Sequence, residues 1–135
     1  MDSVMLNDLA AAFCEDCTER MRHVTSLVRV GAPLDGGILD QLHQEFDTLF
    51  GGARAVHRPA LELFFRGMAR YARYLRNRLI SGQPIDPAAW QDLWTGIRLA
   101  QLCGSDQADC LEYRDCERLQ LLQAINNRID NGERT

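Results

Sequence analysis

Apolar side chains recur in this chain at steps of three and four for most of its length, and no segment alternates at steps of two. That period belongs to amphipathic helices packed on one another, so an all-α fold without a sheet is expected. Leu6, Leu9, Phe13, Cys17, Met21, Val24 and Val28 form the first stripe and predict a helix over Ser3 to Val30, ended by Gly31 and Pro33. Leu39, Leu42, Phe46, Leu49, Ala53 and Val56 form the second, with Asp35 as N-cap and a break near His57, because Pro59 disfavours helical geometry at Arg58.

Pro59 suits the first turn of a third helix, to Ser81, carrying Leu61, Phe64, Phe65, Met68, Tyr71, Ala72, Leu75 and Leu79 and closed by Gly82. Asp86 and Pro87 open a fourth helix that buries Trp90, Leu93, Trp94, Ile97 and one of Leu99 or Ala100, and Gly104 should stop it near Cys103. A fifth, over about 106–130, offers Leu111, Leu119, Leu122, Ile125 and Ile129. The 135 residues, 46% of them hydrophobic, suffice for one domain and its core, so residues 1–135 are read as a single helical-bundle domain.

Composition narrows the function. A formal net charge of −4 provides no basic field for nucleic acid, and no apolar run approaches the length of a membrane span. The N-terminus carries acidic residues where a signal peptide has basic ones, so a cytoplasmic protein is expected. Five cysteines cannot all pair within the chain. Cys14 and Cys17 form a C-x-x-C that, with Cys103, Cys110 and Cys116, is conceivable as a zinc site, but the later three lack finger or ribbon spacing and Cys17 lies on an apolar stripe. No metal or other cofactor is expected. His23, His43 and His57 fall on separate segments without a Glu-x-x-His motif, so no catalytic set is expected and the chain is read as no enzyme.

Gly51 and Gly52 interrupt the second stripe at "FDTLFGGAR". Each costs roughly 1 kcal/mol against alanine inside a helix, so the pair marks a helix end, a close packing point or a place where something approaches the backbone. The segment resembles the core motif of histidine phosphotransfer (Hpt) domains, the fold that also forms the phosphorylated domain of chemotaxis kinases, whose pattern is approximately H-x-[LI]-K-G-[GS]-A. Asp47 stands where the phosphorylated histidine would be and Phe50 where the lysine would be, while Leu49, Gly51, Gly52 and Ala53 match. "RNRLISGQPIDPAAWQDLW" is similar to the end of the family's third helix, the turn and the start of the fourth.

The resemblance covers about residues 6–102 and implies an antiparallel four-helix bundle of the Hpt type with an additional C-terminal helix. A carboxylate at Asp47 cannot serve as the imidazole nucleophile, and Phe50 cannot neutralise a phosphoryl group. The resemblance therefore implies a degenerate, non-catalytic member: a scaffold in a bacterial two-component or chemotaxis-like pathway. Its partner would be a response-regulator receiver domain or a sensor kinase. The expected docking residues are Asp40, His43, Gln44, Asp47, Phe50, Gly51 and Arg54. Two alternatives stay open: phosphotransfer through His43, one turn before Asp47, or a structural module that forms a homodimer through the C-terminal helix. Arg66, Arg70 and Arg73 share a face of the third helix and form a second surface, solvated or facing an acidic partner, with Glu62 spaced to pair with Arg66.

Overall fold

The computed structural model describes residues 3–28, 34–105 and 111–133. Those residues form five helices and no strand: α1 (Ser3–Leu27), α2 (Gly36–Ala55), α3 (Pro59–Ile80), α4 (Pro87–Ser105) and α5 (Leu111–Glu133). The boundaries have local causes. The Asp35 carboxylate accepts a 2.8 Å hydrogen bond from the Ile38 amide, capping α2, and Asp86 accepts one of 2.9 Å from the Ala88 amide at the start of α4. Pro59 opens α3, where its missing N–H costs nothing.

The ends of α2 and α3 are built alike. The Arg58 amide donates to the Ala53 carbonyl and the His57 amide to that of Arg54, while Gln83 and Gly82 donate to the carbonyls of Arg78 and Leu79. Both are Schellman ends, which need a left-handed residue. Gly82 supplies it at φ 69° and, less comfortably, His57 at φ 59°.

The helices pack as a bundle whose sense follows from the contacts. Across α2 and α3, Asp40 meets Arg76, His43 meets Ala69 and Arg54 meets Glu62, so the two run antiparallel. α1 crosses α2 where Phe13 faces Gly52 and Arg20 reaches Glu45. α4 joins α3 through Tyr71, which donates 2.8 Å to the Ala89 carbonyl, and joins α1 through the Cys17 thiol and the Ala100 carbonyl. α5 lies along α3 in the same sense, Arg58 pairing with Asp115 and Gly67 packing under Leu122, and Arg128 ties it to Asp92 of α4.

The apolar stripes converge on one core. Phe46 and Phe65 stack at 6.4 Å between centroids, and Phe13 meets Phe65 edge-on at the same distance. Leu99 and Ala100 are both buried.

Several sequence expectations are corrected. α1 has ended by Val28, and α4 runs through Gly104 to Ser105, a single glycine near a helix end being a small cost against packing already made by Ala100 and Cys103. α5 continues past Asp130 to Glu133. Leu9 and Leu79 are exposed, and Val56, Trp90 and Trp94 are only half-buried. In α5 the buried line is Arg118, Leu121, Ile125 and Ile129, so the expected Leu119 faces solvent and Leu122 is half-buried. Arg118 is wholly buried and donates 3.0 Å to Asp115. Glu62 reaches Arg54 across the turn, at 3.9 Å, instead of Arg66. The expected stops at Gly31 and Pro33, the thiol of Cys110 and the side chains of Leu6 and Leu111 lie outside the described residues.

Candidate protein-docking face

α2 presents its core stripe to α1 and α3 and leaves a solvent-facing strip on the side opposite Leu42 and Leu49. Asp40, Gln44, Asp47, Gly51 and Arg54, spaced by three and four, are all exposed on it. Five of the seven expected docking residues thus share one open strip.

His43 and Phe50 lie along its edge on the α3 side and are half-buried. Phe50 packs against the core. His43 is turned inward: its Nδ1 lies 2.8 Å from the Ala69 carbonyl oxygen. A carbonyl oxygen only accepts, so Nδ1 carries a proton, and in the neutral ring the lone pair is then on Nε2.

The two glycines of the motif have different surroundings. A β-carbon on Gly51 would meet nothing within 4 Å, whereas one on Gly52 would come within 3.0 Å of the Phe13 ring. Gly51 leaves the strip low and open, while Gly52 lets α1 approach α2.

α3 frames the strip with two residues that the sequence reading did not assign to it. Arg76 Nε stands 2.7 Å from Asp40 Oδ1, an ion pair without hydrogen-bond alignment, and Glu62 faces Arg54. The two pairs are placed symmetrically about Arg58, so opposite charges equidistant from that residue, just before Pro59, were the signal available. Asp47 lies between these pairs along α2, in neither of them. The strip and its frame carry both signs of charge.

Arg66, Arg70 and Arg73 are exposed on α3, as expected, and none has an ion-pair partner among the described residues.

Hydrogen bonding to Cys103, followed by burial, pushes the Cys17 thiol far above its ordinary range, so it stays protonated at neutral pH. Among the described residues, no group of three or more histidine, cysteine or carboxylate side chains is arranged to hold a metal ion. No described helix is long and apolar enough to cross a membrane. Comparison of the chain with protein-family models, with curated proteins and with solved structures returns no match.

Proposed function

We propose that this protein is a non-catalytic signalling adaptor of the Hpt type, which docks a receiver domain or a sensor kinase on the Asp47 strip of α2 and acts by occupancy. The observation that carries the reading is the open backbone at Gly51, one turn after Asp47 on the same exposed face. A convex partner loop can close over Asp47 only where the next turn lacks a side chain, and a glycine with no neighbour within 4 Å has no packing reason to be there. Asp47 and Phe50 stand where the resemblance would put the phosphorylated histidine and the charge-neutralising lysine, so docking without phosphotransfer is the consistent reading.

The test is binding of the purified domain to an array of receiver domains and kinase dimerisation domains from the source organism, with Gly51→Arg and Asp47→Arg as controls. A partner bound by the wild type and lost from both variants is the expected result. Equal binding by all three proteins would remove the strip from the function. Phe50→Glu is a poor control, because Phe50 packs on the core.

A second reading, phosphotransfer through His43, is favoured by the Nδ1 hydrogen bond to Ala69, which leaves Nε2 as the nucleophilic nitrogen. Acid-labile phosphate on the wild type but not on His43→Ala, after incubation with a phosphorylated receiver, would establish it.

A further inference from the structure

The side of α3 that meets α5 carries a feature independent of the Asp47 strip. Between the two helices a groove of about 300 Å³ opens to solvent over Leu63, Gly67 and Leu122, with Arg66 and Arg70 on the α3 wall and Asn126 on the α5 wall. Its apolar lining opens to solvent at Leu63, 51% exposed, and is extended beyond the groove by Leu119, one turn before the half-buried Leu122 on α5 and 42% exposed. Gly67 lets Leu122 pack down onto α3 at the base of the groove, since a β-carbon there would run into the Leu122 side chain.

The arginines along this wall are not neutralised. Arg66 and Arg70 lack carboxylate partners among the described residues, and Arg73 extends the same unpaired row by one turn. The nearest candidate, Glu62, is turned toward Arg54. Unpaired positive charge beside exposed leucines, in a chain of net charge −4, is a local departure from the rest of the surface.

We infer that the α3–α5 groove docks an acidic amphipathic helix of another protein, its leucine-type side chains on Leu63, Leu119 and Leu122 and its carboxylates on Arg66 and Arg70. A helix laid along two packed helices places apolar side chains at steps of three and four into their groove and turns its flanks to the walls. Here the wall is cationic, so the complementary flank is acidic. A nucleic acid would meet the arginines but leave its phosphates over bare leucine side chains, at a desolvation cost with no return. A second copy of this chain is a poorer complement. Its α5 turns uncharged Gln120, Gln123 and Asn127 outward, with Asp130 the one exposed carboxylate among its described side chains. On α1, Asp16 and Glu19 are already paired with Arg20 and Arg22, which leaves Asp8 and Glu15.

The test uses fluorescence anisotropy with three labelled probes. They are a helical peptide of about 18 residues, or five turns, with leucine at steps of three and four and glutamate flanks, its twin with lysine for every glutamate, and a single-stranded oligonucleotide. The expected result is saturable binding of the acidic peptide, roughly tenfold or more tighter than its lysine twin and weakened by added salt. Arg66→Glu with Arg70→Glu should abolish that preference, and Leu63→Asp should weaken the peptide independently of the charges. All three positions are exposed, so circular dichroism should show unchanged helicity. Equal affinity for the two peptides, indifference to the arginine reversal, or tighter binding of the oligonucleotide would each overturn the assignment. So would a concentration-dependent dimer, detected by light scattering, that excludes the peptide.

Discussion

A β-carbon on Gly52 would stand 3.0 Å from Cδ2 and 3.1 Å from Cε2 of Phe13, which makes the second glycine of the pair the point where α1 closes on α2. Its neighbour Gly51 faces empty space from the same helix. One dipeptide therefore serves packing on one side of α2 and openness on the other. The two roles separate by substitution. Gly51→Ala should raise stability by about 0.5–1 kcal/mol, because alanine relieves the helical cost of glycine and touches nothing. Gly52→Ala should forfeit that gain to the Phe13 ring, and Phe13→Leu in the same chain should restore part of it relative to Phe13→Leu alone. Urea denaturation of the four variants measures the difference. Equal gains at both glycines would mean that Phe13 does not hold α1 against Gly52.

The matched ends of α2 and α3 give a second pair of opposed expectations. His57 holds a left-handed φ of 59° that costs a residue with a β-carbon about 1 kcal/mol, and Gly82 holds φ 69° without that cost. His57→Gly should stabilise by up to about 1 kcal/mol, reduced by the extra freedom glycine gives the unfolded chain, and Gly82→Ala should destabilise by about 1 kcal/mol. Thermal melts of the two variants should shift in opposite directions. A destabilised His57→Gly would mean that the imidazole makes a contact worth more than the strain.

Much of this fold could be read from the sequence because its punctuation is chemical. Asp35, Pro59, Gly82, Asp86 and Pro87 sit at helix ends for reasons of side-chain and backbone geometry that do not depend on the rest of the structure. The α5 face was less legible. Its stripe includes Arg118, which any hydropathy pattern reads as outward, and the buried arginine shifts the face so that Leu121 enters the core and Leu119 leaves it. The ion pairs framing the candidate strip were also hidden, because Glu62 lies four residues from Arg66 within α3 yet also comes within reach of Arg54 across the turn. Only the hairpin register decides between them.

Phe46 tests the packing beneath the candidate strip. It is wholly buried and stacks on Phe65 one layer below the Asp47 face. Phe46→Ala should cost ~3–5 kcal/mol in chemical denaturation, the range for removing a buried aromatic from a core that cannot fully collapse. A loss below about 1 kcal/mol would be incompatible with α2 as a core helix.

Alkaline pH should expose the buried phenol of Tyr71. Burial is the main reason its ionisation is pushed above the ordinary value of 10.0, and its hydroxyl donates to the Ala89 carbonyl, a bond the phenolate cannot make. The native state therefore keeps a proton that the unfolded chain releases above that value. Stability supplied by the neutral phenol is complete below pH 10.0 and falls as the pH rises further, by up to about 1.4 kcal/mol for each pH unit. Cys17 acts in the same direction from its own ordinary value of 9.0, so the decline of the wild type begins earlier than Tyr71 alone would start it. Tyr71→Phe should be less stable at neutral pH by about 1 kcal/mol, through the lost hydrogen bond, yet show a shallower decline at the alkaline end. Urea denaturation of both proteins between about pH 8 and pH 11 reads the two slopes directly. Parallel curves over that range would mean that Tyr71 ionises as readily in the folded protein as in the unfolded chain, and that the α3–α4 contact does not shield it from water.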